Sequence, residues 1–66
     1  MAQGTVKFYN TDKGYGSIAG DGGSGDVLVF YRSILDSPQT LQDGQRVEYE
    51  VQKTTRGYEA INVRSV

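Results

Sequence analysis

The chain has 66 residues, a formal net charge of −1 at pH 7 and neither cysteine nor histidine. This length fits one small domain and leaves no room for a second. The lack of cysteine excludes disulfides and thiolate metal sites, and the charge argues against a protein held to nucleic acid mainly by bulk electrostatics.

Short strand patterns follow one another along the chain, separated by glycine-rich turns. They lie at residues 4–10, 15–20, 26–31, 46–52 and 58–66. Residues 10–14 and 54–57 predict tight turns with glycine where positive φ is needed, and residues 20–25 predict a flexible loop. Residues 32–44 predict a long connection that opens with one helical turn at "RSIL". Loops of this length are often functional.

Strands this short and this numerous cannot form a sandwich of ordinary size, but they can close into a small barrel without exposed edges. We therefore predict an all-β fold, a small five-stranded antiparallel barrel in which residues 1–66 form a single domain. Alternation of side chains predicts which ones fill the interior. The predicted inward set is Val6, Ile18, Val27, Val29, Ile34, Leu41, Val47, Tyr49, Val51, Ile61 and Val63.

Most aromatic side chains are left outside this barrel. Phe8, Tyr15 and Phe30 fall on outward positions of the first three strands, and Tyr31 follows directly. In a meander these strands are neighbours, so their rings would share one surface. Rings of this kind stack on nucleobases with little regard to sequence, at about 1–3 kcal/mol per base. The competing interpretation is structural, since aromatic residues also fit pleated sheets and pair across strands.

Several segments resemble the bacterial cold-shock proteins, a family of small OB-fold barrels. "KGYGSI" (13–18) is similar to the family motif K-G-[FY]-G-F-I, and "VLVFY" (27–31) to the motif V-F-V-H-[FY]. "TLQDGQRVEYEV" (40–51) and "RGYEAINV" (56–63) resemble the later family segments. The resemblance implies an OB-fold that binds single-stranded RNA and DNA through stacking aromatics and acts as an RNA chaperone.

The resemblance also implies which residues make the contacts. Basic and aromatic residues match the family pattern at most positions, with Phe8 in place of a tryptophan and Phe30 in place of a histidine. The candidate nucleic-acid-binding residues are Lys7, Phe8, Lys13, Tyr15, Ser17, Leu28, Phe30, Tyr31, Arg56 and Tyr58.

Three departures from the family predict a reduced stacking surface. Ser17 and Leu28 replace stacking phenylalanines, and the loop at residues 36–39 lacks the aromatic that the family carries there. Tyr58, in place of a proline, can replace one ring from the edge. Losing two or three stacks, at about 1–3 kcal/mol each, predicts binding weakened by more than about tenfold. Alternatively, the Ser17 hydroxyl changes the preference by hydrogen bonding to a base edge or a phosphate.

Two functions therefore stay open. The first is a cold-shock-type protein that binds single-stranded nucleic acid with a reduced stacking surface. The second is an OB-fold protein-interaction or scaffold domain that has lost most nucleic-acid binding. We expect a monomer, with a homodimer as the alternative.

Other classes of function are not expected. The G-x-G-x-x-G spacing in "GDGGSG" (20–25) lacks the strand–turn–helix context of a dinucleotide site, and Ser17 has no histidine to activate it as a nucleophile. We expect no enzyme activity, no cofactor, no metal and no small-molecule substrate. Since no apolar run fits a signal peptide or a membrane span, we expect a cytoplasmic protein without membrane contact.

Overall fold

The computed structural model describes residues 1–23 and 25–66 of the chain. Within them lie the strands β1 (Ala2–Asn10), β2 (Tyr15–Gly20), β3 (Asp26–Phe30), β4 (Arg46–Thr54) and β5 (Gly57–Ser65). The strands close into a barrel in the order β1-β2-β3-β5-β4, which confirms the predicted all-β barrel. Between the described parts of these strands, only the β3–β5 contact is parallel; the other pairings are antiparallel. No helix in the described ranges is long and apolar enough to cross a bilayer.

Short 3-10 turns lie in two of the connections. One covers Asp21–Gly23 in the predicted 20–25 loop, of which Ser24 lies outside the described residues. The other covers Tyr31–Ser33, so the helical turn predicted at "RSIL" is present but begins one residue earlier and ends before Ile34. The second turn begins directly after β3, so the side chains that follow Phe30 stay close to that strand.

Glycines close both predicted tight turns. Gly14 has φ 75° and Gly57 has φ 120°, a region that glycine adopts without steric cost. In the first turn, the Gly14 N–H donates to the Asn10 carbonyl at 2.7 Å. The Asn10 side-chain oxygen also accepts the backbone N–H groups of Asp12 and Lys13, both at 3.0 Å. This network fixes the path of the chain from β1 into β2.

The barrel interior is aliphatic, with one tyrosine. Among the described side chains, the buried hydrophobic set is Val6, Ile18, Val27, Val29, Ile34, Leu41, Val47, Tyr49, Ala60 and Val63. Tyr9 also packs against this core and is half-buried. Most of the predicted interior is confirmed, but the prediction was wrong for Val51 and Ile61 and omitted Ala60.

The error at Val51 arises at the end of the barrel. The errors at Ala60 and Ile61 arise in β5, where the alternation between inward and outward side chains shifts. Val51 pairs with buried Ala60, yet 48% of its surface is exposed because it lies beside an open cavity at the barrel end. Asn62 has φ 53°, a conformation that asparagine tolerates better than most residues. The strand therefore changes phase there. As a result Ala60 and Val63 are both buried, three positions apart, and Ile61 is only half-buried.

A bulge in β1 decides which way the first aromatic ring points. Val6 pairs with Ile18 and Phe8 pairs with Ser17, so Lys7 is an extra residue in the β1–β2 ladder. In a regular strand Val6 and Phe8 would face the same side. With the bulge, Val6 is 1% exposed in the core and Phe8 is 45% exposed outside.

Two carboxylates hold connecting segments against the strands of the barrel. Asp21 accepts bidentate hydrogen bonds from the Arg46 guanidinium at 2.8 and 2.7 Å, and these bonds lower the pKa of the Asp21 carboxyl. Asp36 accepts the Ser65 backbone N–H at 2.7 Å, and hydrogen bonds from Ser65 lower the pKa of that carboxyl. Asp36 thereby fastens the long connection before β4 to the end of β5.

Candidate nucleic-acid interface

The outward side chains of adjacent strands form one continuous row across the barrel. Phe8 of β1 lies opposite Ser17 of β2, Ser17 opposite Leu28 of β3, and Leu28 opposite Glu59 of β5. Side chains that are directly opposite on one face lie about 5 Å apart at their Cβ atoms. The row thus holds one ring, one hydroxyl, one aliphatic group and one carboxylate.

A second row beside the first carries the other rings. Tyr15 of β2 lies opposite Phe30 of β3. The Tyr15 ring also meets the Phe8 ring edge to face, with centroids 6.3 Å apart and planes at 87°. We call the surface formed by Phe8, Tyr15, Ser17, Leu28 and Phe30 the aromatic face. The structure thus brings together the strand residues that the sequence assigned to one surface.

Tyr31 borders the aromatic face beside a cleft of about 310 Å³. Its N–H donates to the Gly14 carbonyl at 2.9 Å, and a Cβ on Gly14 would lie 2.9 Å from the Tyr31 Cδ1 atom. Because Gly14 of "KGYGSI" has no side chain, the Tyr31 ring can pack directly against the turn. Lys13 lines the same cleft, and the 36–39 loop contributes Gln39 to it instead of a ring. Tyr9 lies in the cleft wall, where burial raises the pKa of its hydroxyl.

The basic residues at the rim offer less free positive charge than their number suggests. The Lys7 ammonium forms an ion pair with the Asp26 carboxylate at 2.9 Å, and both side chains are about half exposed at 52%. Arg56 lies exposed in the turn between β4 and β5, where its backbone N–H donates to the Thr54 hydroxyl at 3.2 Å. Lys7 directly precedes Phe8 in the chain, and exposed Lys13 lies two residues before Tyr15.

Tyr58 lies beside the aromatic face and not on it. It belongs to the same phase of β5 as buried Ala60, and it is 58% exposed at the barrel end. There it lines a cavity of about 210 Å³ together with Val51 and Asp26, the partner of Lys7. Its ring is therefore separated from the row that runs from Phe8 to Glu59.

Two residues that sequence reasoning did not single out lie on or next to the aromatic face. The Arg32 Cζ atom lies 4.6 Å from the centroid of the Phe30 ring, and the Arg32 Nη2 atom lies 3.9 Å from the Glu59 Oε1 atom. The available signal for Arg32 was its place in the helical turn directly after Phe30. Glu59 carried no comparable signal, because its position depends on the parallel contact between β3 and β5.

Comparisons with known proteins agree with this architecture. The family model described as "'Cold-shock' DNA-binding domain" matches residues 2–66. The chain is 49% identical to the cold shock-like protein CspA of Stigmatella aurantiaca, over 100% of this chain and 98% of that protein. It is 46% identical to the probable cold shock protein A of Mycolicibacterium smegmatis, over the full length of both.

A solved structure, drosophila Unr CSD456, shares the fold with a TM-score of 0.80 at 18% identity, over 98% of this chain and 26% of that longer one. The sequence relatives match the chain over nearly its whole length. The resemblance first drawn from short motifs thus extends from one end of the barrel to the other. The chain belongs to the cold-shock domain family.

Proposed function

We propose that this protein binds single-stranded RNA or DNA on the aromatic face and acts as an RNA chaperone, as a binding protein without catalysis. The observation that supports this most strongly is the placement of Phe8, Tyr15 and Phe30 on adjacent strands of one outer surface. In this proposal residues 1–66 act as one domain, as a monomer and in the cytoplasm.

Stacking supplies most of the binding energy in this proposal. Each ring of the face offers a flat surface to one unpaired base, which contributes about 1–3 kcal/mol with little dependence on sequence. The centre of the first row holds Ser17 and Leu28, neither of which can stack as a ring does. The face is therefore a reduced stacking surface that binds more weakly than one with rings at both positions.

Phosphate contacts contribute a smaller part of the binding free energy. Lys13 and Arg56 are exposed, whereas Lys7 is partly neutralised by Asp26. Because log K falls with log salt by about 0.7 per phosphate contact on a single strand, a protein with few free cations shows a shallow salt dependence. We expect the slope of log K against log salt to correspond to only a few phosphate contacts.

Weak, sequence-tolerant binding suits a chaperone role. A ligand that binds only the open form of a hairpin favours opening by RT ln(1 + [L]/Kd), where L is here the protein. Modest affinity at high protein concentration therefore opens marginally stable hairpins and still allows rapid release. A base held on the aromatic face is removed from the duplex stack, because the ring covers the π face on which a neighbouring base would stack.

The direct test is fluorescence polarisation with labelled single strands of RNA and DNA at low salt. We expect binding to the wild type and a loss of more than about tenfold in the double variant Tyr15→Ala/Phe30→Ala, from two lost stacks. The matched control is Arg64→Ala, since Arg64 pairs with Glu48 at 3.1 Å elsewhere on β4 and β5. A folded wild type that binds no strand would contradict the proposal. A hairpin labelled with a fluorophore and a quencher tests the chaperone role in the same samples.

The protein-interaction alternative draws on one observation, the ring-free centre of the first row. It places a protein, or a second copy of this chain, against Leu28 and its neighbours. Sedimentation of the wild type and of the Tyr15→Ala/Phe30→Ala variant separates the two functions. Self-association that disappears in the variant, without nucleic-acid binding in the wild type, would favour the alternative.

A further inference from the structure

A guanidinium group lies over the third ring of the aromatic face. The Arg32 Cζ atom is 4.6 Å from the Phe30 centroid, within the range of a cation–π contact. The Arg32 side chain nevertheless keeps 64% of its surface exposed. The guanidinium carbon therefore lies over the ring, and much of the Arg32 side chain remains open to solvent.

Two features hold Arg32 there. The 3-10 turn Tyr31–Ser33 starts immediately after β3 and returns the chain toward Phe30. On the other side, the Glu59 carboxylate lies 3.9 Å from Nη2, and the Glu59 side chain is only 15% exposed. Glu59 is itself placed by the pairing of β3 with β5, directly opposite Leu28. Arg32 thus connects the two rows of the aromatic face.

This arrangement changes what a strand meets at Phe30. A base cannot reach the covered side of the ring while Arg32 lies over it. The guanidinium is planar, however, and bases stack on arginine planes as they do on aromatic rings. Arg32 therefore offers a second flat surface on top of the first.

We propose that Arg32 and Glu59 form a nucleobase subsite, in which a base stacks on the guanidinium above Phe30 and donates an exocyclic amino hydrogen to the Glu59 carboxylate. The proposal rests on the proposed function and assigns a base preference to it. Ionised glutamate accepts hydrogen bonds and donates none. It therefore suits the N4 amino group of cytosine and opposes the O4 carbonyl of uracil or thymine.

The negative charge of Glu59 also argues for a base and against a phosphate at this position. A phosphate next to a carboxylate is repelled, whereas an amino hydrogen is attracted. The Arg32 charge is already partly balanced by Glu59. Arg32 therefore contributes to binding through stacking on its planar guanidinium more than through its positive charge.

The test uses the full chain and two single strands of equal length, oligo-dC and oligo-dU, whose bases differ at the 4-position and in the N3 hydrogen that only uracil carries. We expect the wild type to bind oligo-dC about three- to tenfold more tightly, the scale of one base-edge hydrogen bond. Glu59→Gln brings the ratio to about one, because an amide both donates and accepts. Glu48→Gln is the matched control and leaves the ratio unchanged, since Glu48 pairs with Arg64 away from Phe30.

The arginine is tested in the same assay. Arg32→Ala and Arg32→Lys both weaken binding by about three- to tenfold, because lysine keeps the charge and lacks the plane. Tighter binding by Arg32→Ala would show that the guanidinium blocks Phe30, and wild-type affinity in Arg32→Lys would show a purely electrostatic role. Either result overturns the subsite.

Two further results would contradict the base preference. Equal wild-type affinity for the two strands, or a ratio that Glu59→Gln leaves unchanged, also overturns the subsite. In these cases the aromatic face still binds nucleic acid. If the folded wild type binds neither strand, the proposed function fails together with the subsite.

Discussion

The rings of Phe8 and Tyr15 meet edge to face across β1 and β2, with their centroids 6.3 Å apart and their planes at 87°. This geometry is favourable for aromatic pairs and contributes about 0.5–1.5 kcal/mol beyond the area that it buries. It also means that each ring helps to hold the other in place on the aromatic face.

Removal of the Tyr15 ring should therefore weaken single-strand binding by more than the loss of one base stack. We expect Tyr15→Ala to weaken single-strand binding by more than Phe8→Ala does, because Phe30 also loses its opposite neighbour. Tyr15→Phe keeps the ring and should bind within about twofold of the wild type. Polarisation titrations of the three variants measure this order, and a Tyr15→Phe loss as large as that of Tyr15→Ala would show that the hydroxyl matters and not the ring.

Neighbouring residues of β3 should separate stability from binding. Val29 is fully buried and Phe30 lies on the outer face. We expect Val29→Ala to lower the free energy of unfolding by about 1–3 kcal/mol and to leave the affinity of the folded fraction nearly unchanged. Phe30→Ala should do the reverse. Urea titrations and binding measurements on both variants check this, and strong destabilisation by Phe30→Ala would place that ring in the core.

Filling the centre of the first row should strengthen binding. Ser17 is half-buried between Phe8 and Leu28, so Ser17→Phe adds a ring to the row. One more stack predicts an affinity gain of about fivefold or more. Ser17→Ala is the control for loss of the hydroxyl, and weaker binding by this control would mean that the hydroxyl itself contacts the strand. No gain in Ser17→Phe would contradict the reduced stacking surface.

Freeing the Lys7 ammonium from its ion pair should also strengthen single-strand binding. Asp26→Asn removes the carboxylate that lies 2.9 Å from the Lys7 ammonium. Exposed ion pairs contribute little to stability, so the fold should tolerate the change. We expect tighter binding at low salt and a slope of log K against log salt that is steeper by about 0.7, one phosphate contact. Glu48→Gln changes the net charge equally, and an identical gain in that control would point to net charge alone.

Acid should remove the contribution of Asp36 to the free energy of unfolding. Hydrogen bonds from Ser65 lower the pKa of this carboxyl in the folded state, so its ionised form stabilises the fold. The contribution is present above the unfolded pKa of about 3.9 and is lost as pH falls through the lower folded pKa. Asp36→Asn should therefore be less stable than the wild type near neutral pH, and the difference should shrink in acid. Urea titrations across this range measure it, and a constant difference would contradict the assignment.

Alternation predicted the strands and most of the interior because it is a local property of each segment. Val29 and Phe30 illustrate this, since consecutive strand residues face opposite sides. The turn at Gly14 was also predictable, because its glycine is needed at φ 75°. The shared motifs then indicated the family from short segments.

Features that depend on distant pairing were not predictable in this way. The bulge at Lys7 is visible only in the register with β2, and the phase change at Asn62 only in the ladder with β4. The Lys7–Asp26 ion pair joins residues far apart in the chain. The contact of Arg32 with both Phe30 and Glu59 needs the closed barrel, because β5 must first lie beside β3.

The most direct measurement is a map of backbone amide chemical shifts during titration of the labelled protein with a short single strand. We expect the largest changes on the outer positions of β1, β2 and β3, at Phe8, Tyr15, Ser17 and Phe30, and in the neighbouring Tyr31 turn. Changes centred on Glu48 and Arg64 instead, or a folded protein whose spectrum does not respond, would contradict binding on the aromatic face.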